Sequence, residues 1–454
     1  MRTALQVSQW FFLCYFIVLM LYYLILDVLS LSGLRDYMDR ESIDDLPAWF
    51  SGLEPPISLL VPAYNESTTI AAAIRSLLQL DYPEYEIVVI NDGSSDDTLE
   101  VMAAEFDLVR SSEAWPIRVK TKPVRGVYLS RKYKNLRVVD KENGKKADAM
   151  NAGINHSVFP LFCAVDADSI LQRDSLKRVA QPFMEDPLCV AAGGTVRIAN
   201  GCKIQDGFLV RVGLPTGILP LMQIVEYLRA FLFWRMGWDP VNGLLLISGA
   251  FGLFKRSAVI AVGGYRHDTI GEDMELIVRM HRKLREARTP FRIRFVPDPI
   301  CWTEAPEDTR ILRKQRIRWQ RGLCESLTMN WRLLFSRRGG VAGWLAFPFM
   351  VLFEGVEPAV ELIGLGFMVG AGVTHLISVS SMLAFLLVAF SAGLLQSVAA
   401  MLLEEMSFHL YIKPRELAVL LAVTLLENFG YRQLNAWWRL QGLLSWAVRR
   451  KVEW

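Results

Sequence analysis

Apolar positions along this chain fall into two regimes: short runs closed by polar loops, and long stretches at either side of them. Residues 57–62 form a short run that reads as a strand and closes on Ala63-Tyr64-Asn65-Glu66. Ser67 then stands where it can cap a helix expected to run through Leu80. A second strand is expected over 85–90, entering Asn91-Asp92-Gly93-Ser94-Ser95-Asp96-Asp97, with a helix behind it to about Phe106. Strand, polar loop and helix in alternation predict a doubly wound α/β sheet whose right-handed crossovers make neighbouring strands parallel. A third run opens at Pro160 and ends in Asp166-Ala167-Asp168-Ser169.

The long stretches predict a membrane. Residues 10–26 are uninterruptedly apolar, and with their flanks (7–31) they meet the roughly 20 residues a bilayer requires. Only Arg2 precedes them as a charge and no small-residue cleavage site follows, so an anchor is expected and not a removed signal. Residues 341–373 and 376–403 are expected to cross as well. Residues 417–426 are shorter, and 431–448 carries Arg432, Arg439, Trp437, Trp438 and Trp446, the pattern of an interfacial helix with indoles at headgroup depth. Arg332, Arg337, Arg338, Lys413 and Arg415 put their side in the cytoplasm, which makes the block between the membrane segments cytosolic. The expected division is an anchor over 1–33, a catalytic domain over 34–330 and a helical membrane region over 331–454. Residues 214–234 imitate a span, yet Glu226 and Arg229 share one face, so this helix is expected on the membrane surface or beneath the soluble block.

Composition agrees with both regimes. At 52% hydrophobic and a mean hydropathy of +0.26 the chain is too apolar for an ordinary soluble enzyme. At 21% charged it is too polar to be membrane throughout. Its 50 basic and 47 acidic residues leave a net +3, which gives no bulk attraction to nucleic acid. Six cysteines lack Cys-x-x-Cys pairing and zinc-spaced histidines, so they read as buried thiols in a reducing compartment.

Candidate chemistry gathers at the strand ends. Asp166 and Asp168 repel each other unless a cation lies beside them, and a hard ion such as Mg²⁺ or Mn²⁺, its shell completed by phosphate, is the natural partner. The ends of the first two strands, Tyr64-Asn65-Glu66 and Asp92, are expected at the same edge, where ligands of such sheets bind. Asp92 is read as a ligand residue and Asp96 as a turn cap. The basic stretch 122–146 reads as solvated surface. Gly144-Lys145-Lys146-Ala147-Asp148 lacks the hydroxyl of a phosphate-binding loop, but it opens a helix over 147–156 where an anion could sit. Ser248-Gly249-Ala250 permits close backbone approach. In Gly271-Glu272-Asp273, the last carboxylate either caps a helix or serves as a general base. Gln315, Arg318 and Trp319 share a helix face, a guanidinium for a diphosphate beside an indole for a sugar ring, or else a basic interfacial helix. Glu354, Glu357 and Glu361 recur at i, i+3 and i+7 inside an apolar stretch; they line a polar path, brace arginine-bearing helices, or sit among headgroups. Glu427 is a similar case.

In this order and spacing, the motifs Val61-Pro62-Ala63-Tyr64-Asn65-Glu66, Asn91-Asp92-Gly93-Ser94, Gly144-Lys145-Lys146-Ala147-Asp148-Ala149, Asp166-Ala167-Asp168, Gly271-Glu272-Asp273 and Gln315-x-x-Arg318-Trp319 resemble those of the membrane-embedded processive family 2 glycosyltransferases. Those are the cellulose, chitin, hyaluronan and poly-N-acetylglucosamine synthases. The resemblance covers about 57–322 with the flanking membrane layout. It implies an α/β GT-A cytosolic domain (Rossmann-like, mostly parallel sheet) plus an α-helical transmembrane region in the inner or plasma membrane. It also implies transfer, with inversion, from UDP-N-acetylglucosamine or UDP-glucose to a growing β-linked glycan, with Mg²⁺ or Mn²⁺ as cofactor and export coupled to synthesis. By this resemblance Glu66 and Asp92 hold the uridine with Tyr64 nearby. Lys146, Asp166, Gln315 and Arg318 meet the donor, Arg318 at the pyrophosphate, and Asp168 ligates the metal. Asp273 takes the acceptor's proton, Trp319 stacks under the terminal sugar, and Ser248, Gly249 and Glu272 lie on the acceptor side. Asn91 departs from the Asp found in many relatives, and the doubled lysine leaves Lys145 and Lys146 as alternatives. Export or regulatory control is expected from partner subunits. The competing expectation is transfer of one sugar to a lipid phosphate.

Overall fold

The computed structural model describes residues 2–41, 52–374, 378–411 and 413–448. Its strands are β1 (Ile57–Ala63), β2 (Tyr85–Asn91), β3 (Leu108–Ser111), β4 (Val124–Ser130), β5 (Leu136–Lys141), β6 (Leu161–Val165), β7 (Ile170–Leu171), β8 (Cys189–Ile198), β9 (Lys203–Gln205), β10 (Phe208–Arg211), β11 (Phe251–Lys255) and β12 (Arg292–Thr303). β9 and β10 pair with each other, and the rest form one ten-stranded sheet in the order β3-β4-β5-β2-β1-β6-β11-β8-β12-β7. Neighbours from β5 through β2 and β1 to β6 are parallel. Ile57, Leu59, Leu60 and Val61 are wholly buried, as a strand covered on both faces requires.

The expectation of a mostly parallel sheet is corrected: the sheet is mixed. β11 runs antiparallel to both β6 and β8, and β3, β4 and β7 add further antiparallel pairs. The antiparallel insertion has a local reason. An antiparallel strand starts where its neighbour ends, so the residues leading into β11, Ser248-Gly249-Ala250, arrive beside the end of β6. The Ala250 carbonyl accepts from Asp166 N at 3.4 Å.

The helical half departs from the expected layout. The N-terminal helix Arg2–Glu41 runs past the boundary expected at 33: Leu34 is buried, and Tyr37 donates to Asp298 of β12. Its segment Trp10–Met38 is, among the described residues, the one helix long and apolar enough to cross a membrane by itself. The stretch expected as one span over 341–373 is two pieces, Ala342–Gly355 and Glu357–Val373, bent by 46°. Its first piece carries π-helical turns, and such turns accompany kinks. A further helix occupies Val379–Ser407; Leu376, the expected start of a span, lies outside the described residues.

The helix Ile218–Leu228 lies beneath the soluble block, not on a surface. Leu221, Ile224, Val225 and Leu228 pack with Leu420, Val423 and Trp438 into a second core. Trp438 is thus only 5% exposed, which corrects its expected place among headgroups. A broad indole fills the angle between crossing helices, while Trp437 remains exposed.

Candidate active site

Register builds the site. β1 and β2 end together, Ala63 opposite Asn91, and Asp92 N donates to the Ala63 carbonyl at 2.9 Å. β6 lies parallel on the other side of β1, so Tyr64, Glu66, Asp92, Asp166 and Asp168 emerge at one edge. The two loops are stitched together. Asn65, at φ 57°, accepts from Ser95 N at 2.9 Å, and Glu66 N donates to Thr98 Oγ1 at 2.9 Å. Asp96 is a turn residue, accepting from Ser67 N at 3.2 Å and from Thr98 Oγ1 at 2.5 Å. The following helix spans Ile70–Leu77, shorter than expected and without a Ser67 cap.

Asn91 explains its own departure from the family pattern. It is buried and donates to Asp140 Oδ1 at 2.7 Å, where a second Asp would set two carboxylates against each other. Asp92 is nearly buried as well. Its Oδ1 pairs with Lys141 at 2.6 Å and accepts from Gly144 N at 3.0 Å. Lys141 is itself fully buried and bridges to Asp148 at 2.6 Å. The sequence reading missed Lys141, which lies in the stretch taken for solvated surface.

Both lysines of the doubled pair line the cavity, and Lys146 is the one that reaches Asp166. Lys146 Nζ stands 2.5 Å from Asp166 Oδ1 and 3.2 Å from the Gly249 carbonyl oxygen. Burial opposes its charge, but Asp166, Glu272 and Asp273 outweigh that and raise its pKa. Gly249 N in turn donates to Asp273 Oδ2 at 3.0 Å. Lysine, glycine loop and Asp273 therefore form one chain of contacts. Asp273 sits in the first turn of the helix Glu272–Glu286, but that helix has no side-chain cap; beyond its own neighbour Met274 N, the carboxylate faces the β11 loop. Glu272 is buried beneath it, and burial with the charge of Asp273 pushes its pKa up to about 7.

Asp168 is held up in pKa first by burial and next by the like charge of Asp166, the situation a cation relieves. Among the described residues no three His, Cys, Asp or Glu come together as a complete metal site. Asp168, with Asp166 beside it, is the donor set that a hard ion would use, the rest of its shell coming from phosphate and water.

The helix Thr309–Met329 opens on Asp308, whose side chain accepts from Arg310 N. Leu312, Arg316, Gln320 and Cys324 repeat at four-residue spacing as its buried face. Trp319 is 44% exposed, with the Arg316 guanidinium 4.6 Å from its ring centre. Gln315 Oε1 is buried and makes no hydrogen bond among the described residues. Arg318 is exposed and makes no ion pair among them.

One cavity of about 1120 Å³ is lined by every candidate: Tyr64, Glu66, Asp92, Lys146, Asp166, Asp168, Ser248, Gly249, Glu272, Asp273, Gln315, Arg318 and Trp319. It continues between the helices to Glu354, Glu357, Glu361 and Glu427. Arg439 pairs with Glu354 and Glu357 at 2.9 and 3.0 Å, Arg432 with Glu361 at 3.5 Å, and Arg229 with Glu427. The glutamates thus brace arginine-bearing helices and border the cavity at once.

Comparison with known proteins gives these residues a family. Residues 58–206 match glycosyl transferase family 2, and residues 161–403 match glycosyl transferase family group 2. A poly-β-1,6-N-acetyl-D-glucosamine synthase of Staphylococcus epidermidis is 31% identical over 284 residues, 62% of this chain and 58% of that one. The synthase of that name from Staphylococcus aureus (strain COL) is 31% identical over 267 residues, 59% and 54% of the two chains. This chain spans a little over half the length of those relatives. The fold is shared with a mannosyltransferase from Pyrobaculum calidifontis in complex with GDP-Man and Mn²⁺, at a TM-score of 0.53 and 15% identity over 95% of this chain and 100% of that one. By the match that spans more than half of its length, this protein belongs to glycosyl transferase family group 2 and is a polysaccharide-synthase-like glycosyltransferase.

Proposed function

We propose that this protein is a membrane-bound, inverting, metal-dependent synthase. It transfers sugar from a UDP-sugar, UDP-N-acetylglucosamine ahead of UDP-glucose, to a growing β-linked polysaccharide and hands the polymer toward the membrane. One observation carries the reading: a single cavity joins the strand-end carboxylates, an exposed indole and a row of glutamates between helices. The similarity to poly-β-1,6-N-acetyl-D-glucosamine synthases of Staphylococcus supports N-acetylglucosamine as the sugar.

Mg²⁺ or Mn²⁺ held by Asp168, with Asp166 beside it, would supply charge neutralisation at the diphosphate. Arg318 and Lys146 add fixed positive charge where the departing UDP gathers negative charge. Tyr64, Glu66 and Asp92 receive base and ribose, and Gln315 offers its unpaired oxygen to a donor hydroxyl. Trp319 presents a flat apolar face to the acceptor's terminal ring, with Ser248, Gly249 and Glu272 at its side. Asp273, aimed by Gly249 N, takes the proton of the attacking hydroxyl. In-line attack inverts an α-linked donor to a β-linked product without a covalent enzyme intermediate, so positioning of the two sugars carries much of the rate.

In this reading the N-terminal helix and the helices after 341 lie in the inner or plasma membrane with the sheet on the cytosolic side. Purified protein incubated with radiolabelled UDP-sugars and Mg²⁺ or Mn²⁺ tests it by product size. A polymer ladder from UDP-N-acetylglucosamine is the expected result; a single lipid-linked sugar would replace polymerisation with one-step transfer.

A further inference from the structure

The helix Tyr431–Ala447 packs along the helix Thr309–Met329, and at one point their backbones nearly touch. A Cβ on Gly442 would stand 2.7 Å from the Ile317 carbonyl oxygen and 2.8 Å from Gln320 Cβ. One turn earlier, Arg439 extends its whole guanidinium into the contact. Its Nε donates to Gln320 Oε1 at 2.8 Å, Nη1 to Glu357 Oε2 at 3.0 Å, and Nη2 to the Glu354 carbonyl and carboxylate at 2.7 and 2.9 Å. Gln320 completes the joint, with Nε2 donating to the Glu354 and Gly355 carbonyls at 2.9 Å each. Those carbonyls belong to the π-helical turn Met350–Gly355, just before the 46° bend.

Gln320 directly follows Trp319. On the other side of the indole, Arg316 lies against the ring and is pinned by Glu226 at 2.8 Å, which also accepts from Tyr431 Oη at 3.1 Å. Both neighbours of the indole are thus tied to the terminal helix, while the ring itself faces the cavity. The family match ends at residue 403 and does not reach that helix.

We infer that Arg439, acting through Gln320, is a positioning residue that sets where the Trp319 platform stands relative to the transfer site. This rests on the proposed role of Trp319 as the acceptor's sugar platform. The planar fork matters as much as the charge, because three of its nitrogens address three different groups. A lysine reaches one of them at a time.

The test measures an oligosaccharide acceptor's KM, the acceptor-saturated kcat and UDP affinity by titration calorimetry on the purified full-length protein. Arg439→Gln, Arg439→Lys and Gln320→Leu should each raise the acceptor KM about tenfold while UDP affinity and kcat stay within about twofold. The Arg439→Gln/Gln320→Leu double variant should be no worse than the poorer single, since both act through one link. Because a buried acid left unpaired can unfold a protein, Arg439→Gln/Glu354→Gln/Glu357→Gln is measured alongside and should show the same rise. An unchanged acceptor KM, full rescue by lysine, or equal losses of UDP affinity and acceptor KM would each overturn the inference alone. A wild-type protein that uses no oligosaccharide acceptor would overturn the platform reading and the inference with it.

Discussion

At the scale of single residues, the site is a set of carboxylates given different work by their surroundings. Asp92 is bound up with Lys141 and Gly144, Asp166 with Lys146, and Asp273 alone is aimed by the loop that enters β11. Asp273→Asn should therefore cut sugar transfer by at least about 100-fold, the loss expected for a general base, while calorimetry finds UDP binding retained; unimpaired transfer would remove its role. His281 carries the second prediction. Burial first, and then the charge of Arg285, hold its pKa down to about 3 from an ordinary 6.5, so the folded chain keeps it neutral where the unfolded chain protonates. Stability is present above pH 6.5 and lost as the pH falls toward 3, by at most about 1.4 kcal/mol per unit. Melting curves from pH 7 to 4 should show a shallower decline for His281→Gln than for the wild type. Asp92 and Asp166 were legible in the sequence because each follows an apolar run and so marks a strand end, and Asp273 because it stands at a helix start just after a glycine. Lys141, Arg316 and Arg439 were not, because a cation's partner across the fold leaves no trace in local spacing.

At the scale of elements, the helices that carry Asp273 and Trp319 meet through two glycines. A Cβ on Gly322 would lie 2.9 Å from Gly271 Cα, and one on Gly271 would lie 3.0 Å from Gly322 Cα. Around them Glu325 accepts from Ile270 N at 2.9 Å, and Ser326 donates to the Gly271 carbonyl at 3.3 Å. Neither backbone can withdraw without breaking these bonds. Gly322→Val should cost about 1–3 kcal/mol, the range for overpacking a filled core, read as a lower melting temperature; a stability equal to wild type would mean the helices move apart freely. The strand-loop-helix alternation foretold β1, β2 and β6. It could not foretell that β11 enters antiparallel, since direction within a sheet depends on partners and not on apolar pattern. The bend at Gly355 was equally hidden. An apolar stretch has the same composition whether straight or broken.

At the scale of the whole molecule, the cavity belongs to neither half. Its floor is the sheet edge and its far wall is built from Glu354, Glu357, Glu361, Arg432 and Arg439. Neutralising the three glutamates together (Glu354→Gln, Glu357→Gln, Glu361→Gln) leaves two guanidiniums without their acids. It should shorten the polymer and lower its secretion, as measured by size-exclusion chromatography of the glycan; wild-type length and export would dismiss a polymer path along this wall. The seam between the helices Thr309–Met329 and Tyr431–Ala447 has a practical corollary for protein engineers. Because Gly442 is fitted to the backbone at Ile317, the two segments form one module despite their distance along the chain. A chimera that grafts the sheet-bearing half of a relative onto these C-terminal helices must import the matching terminal helix with it, or the graft will join mismatched surfaces beside Trp319 and the cavity.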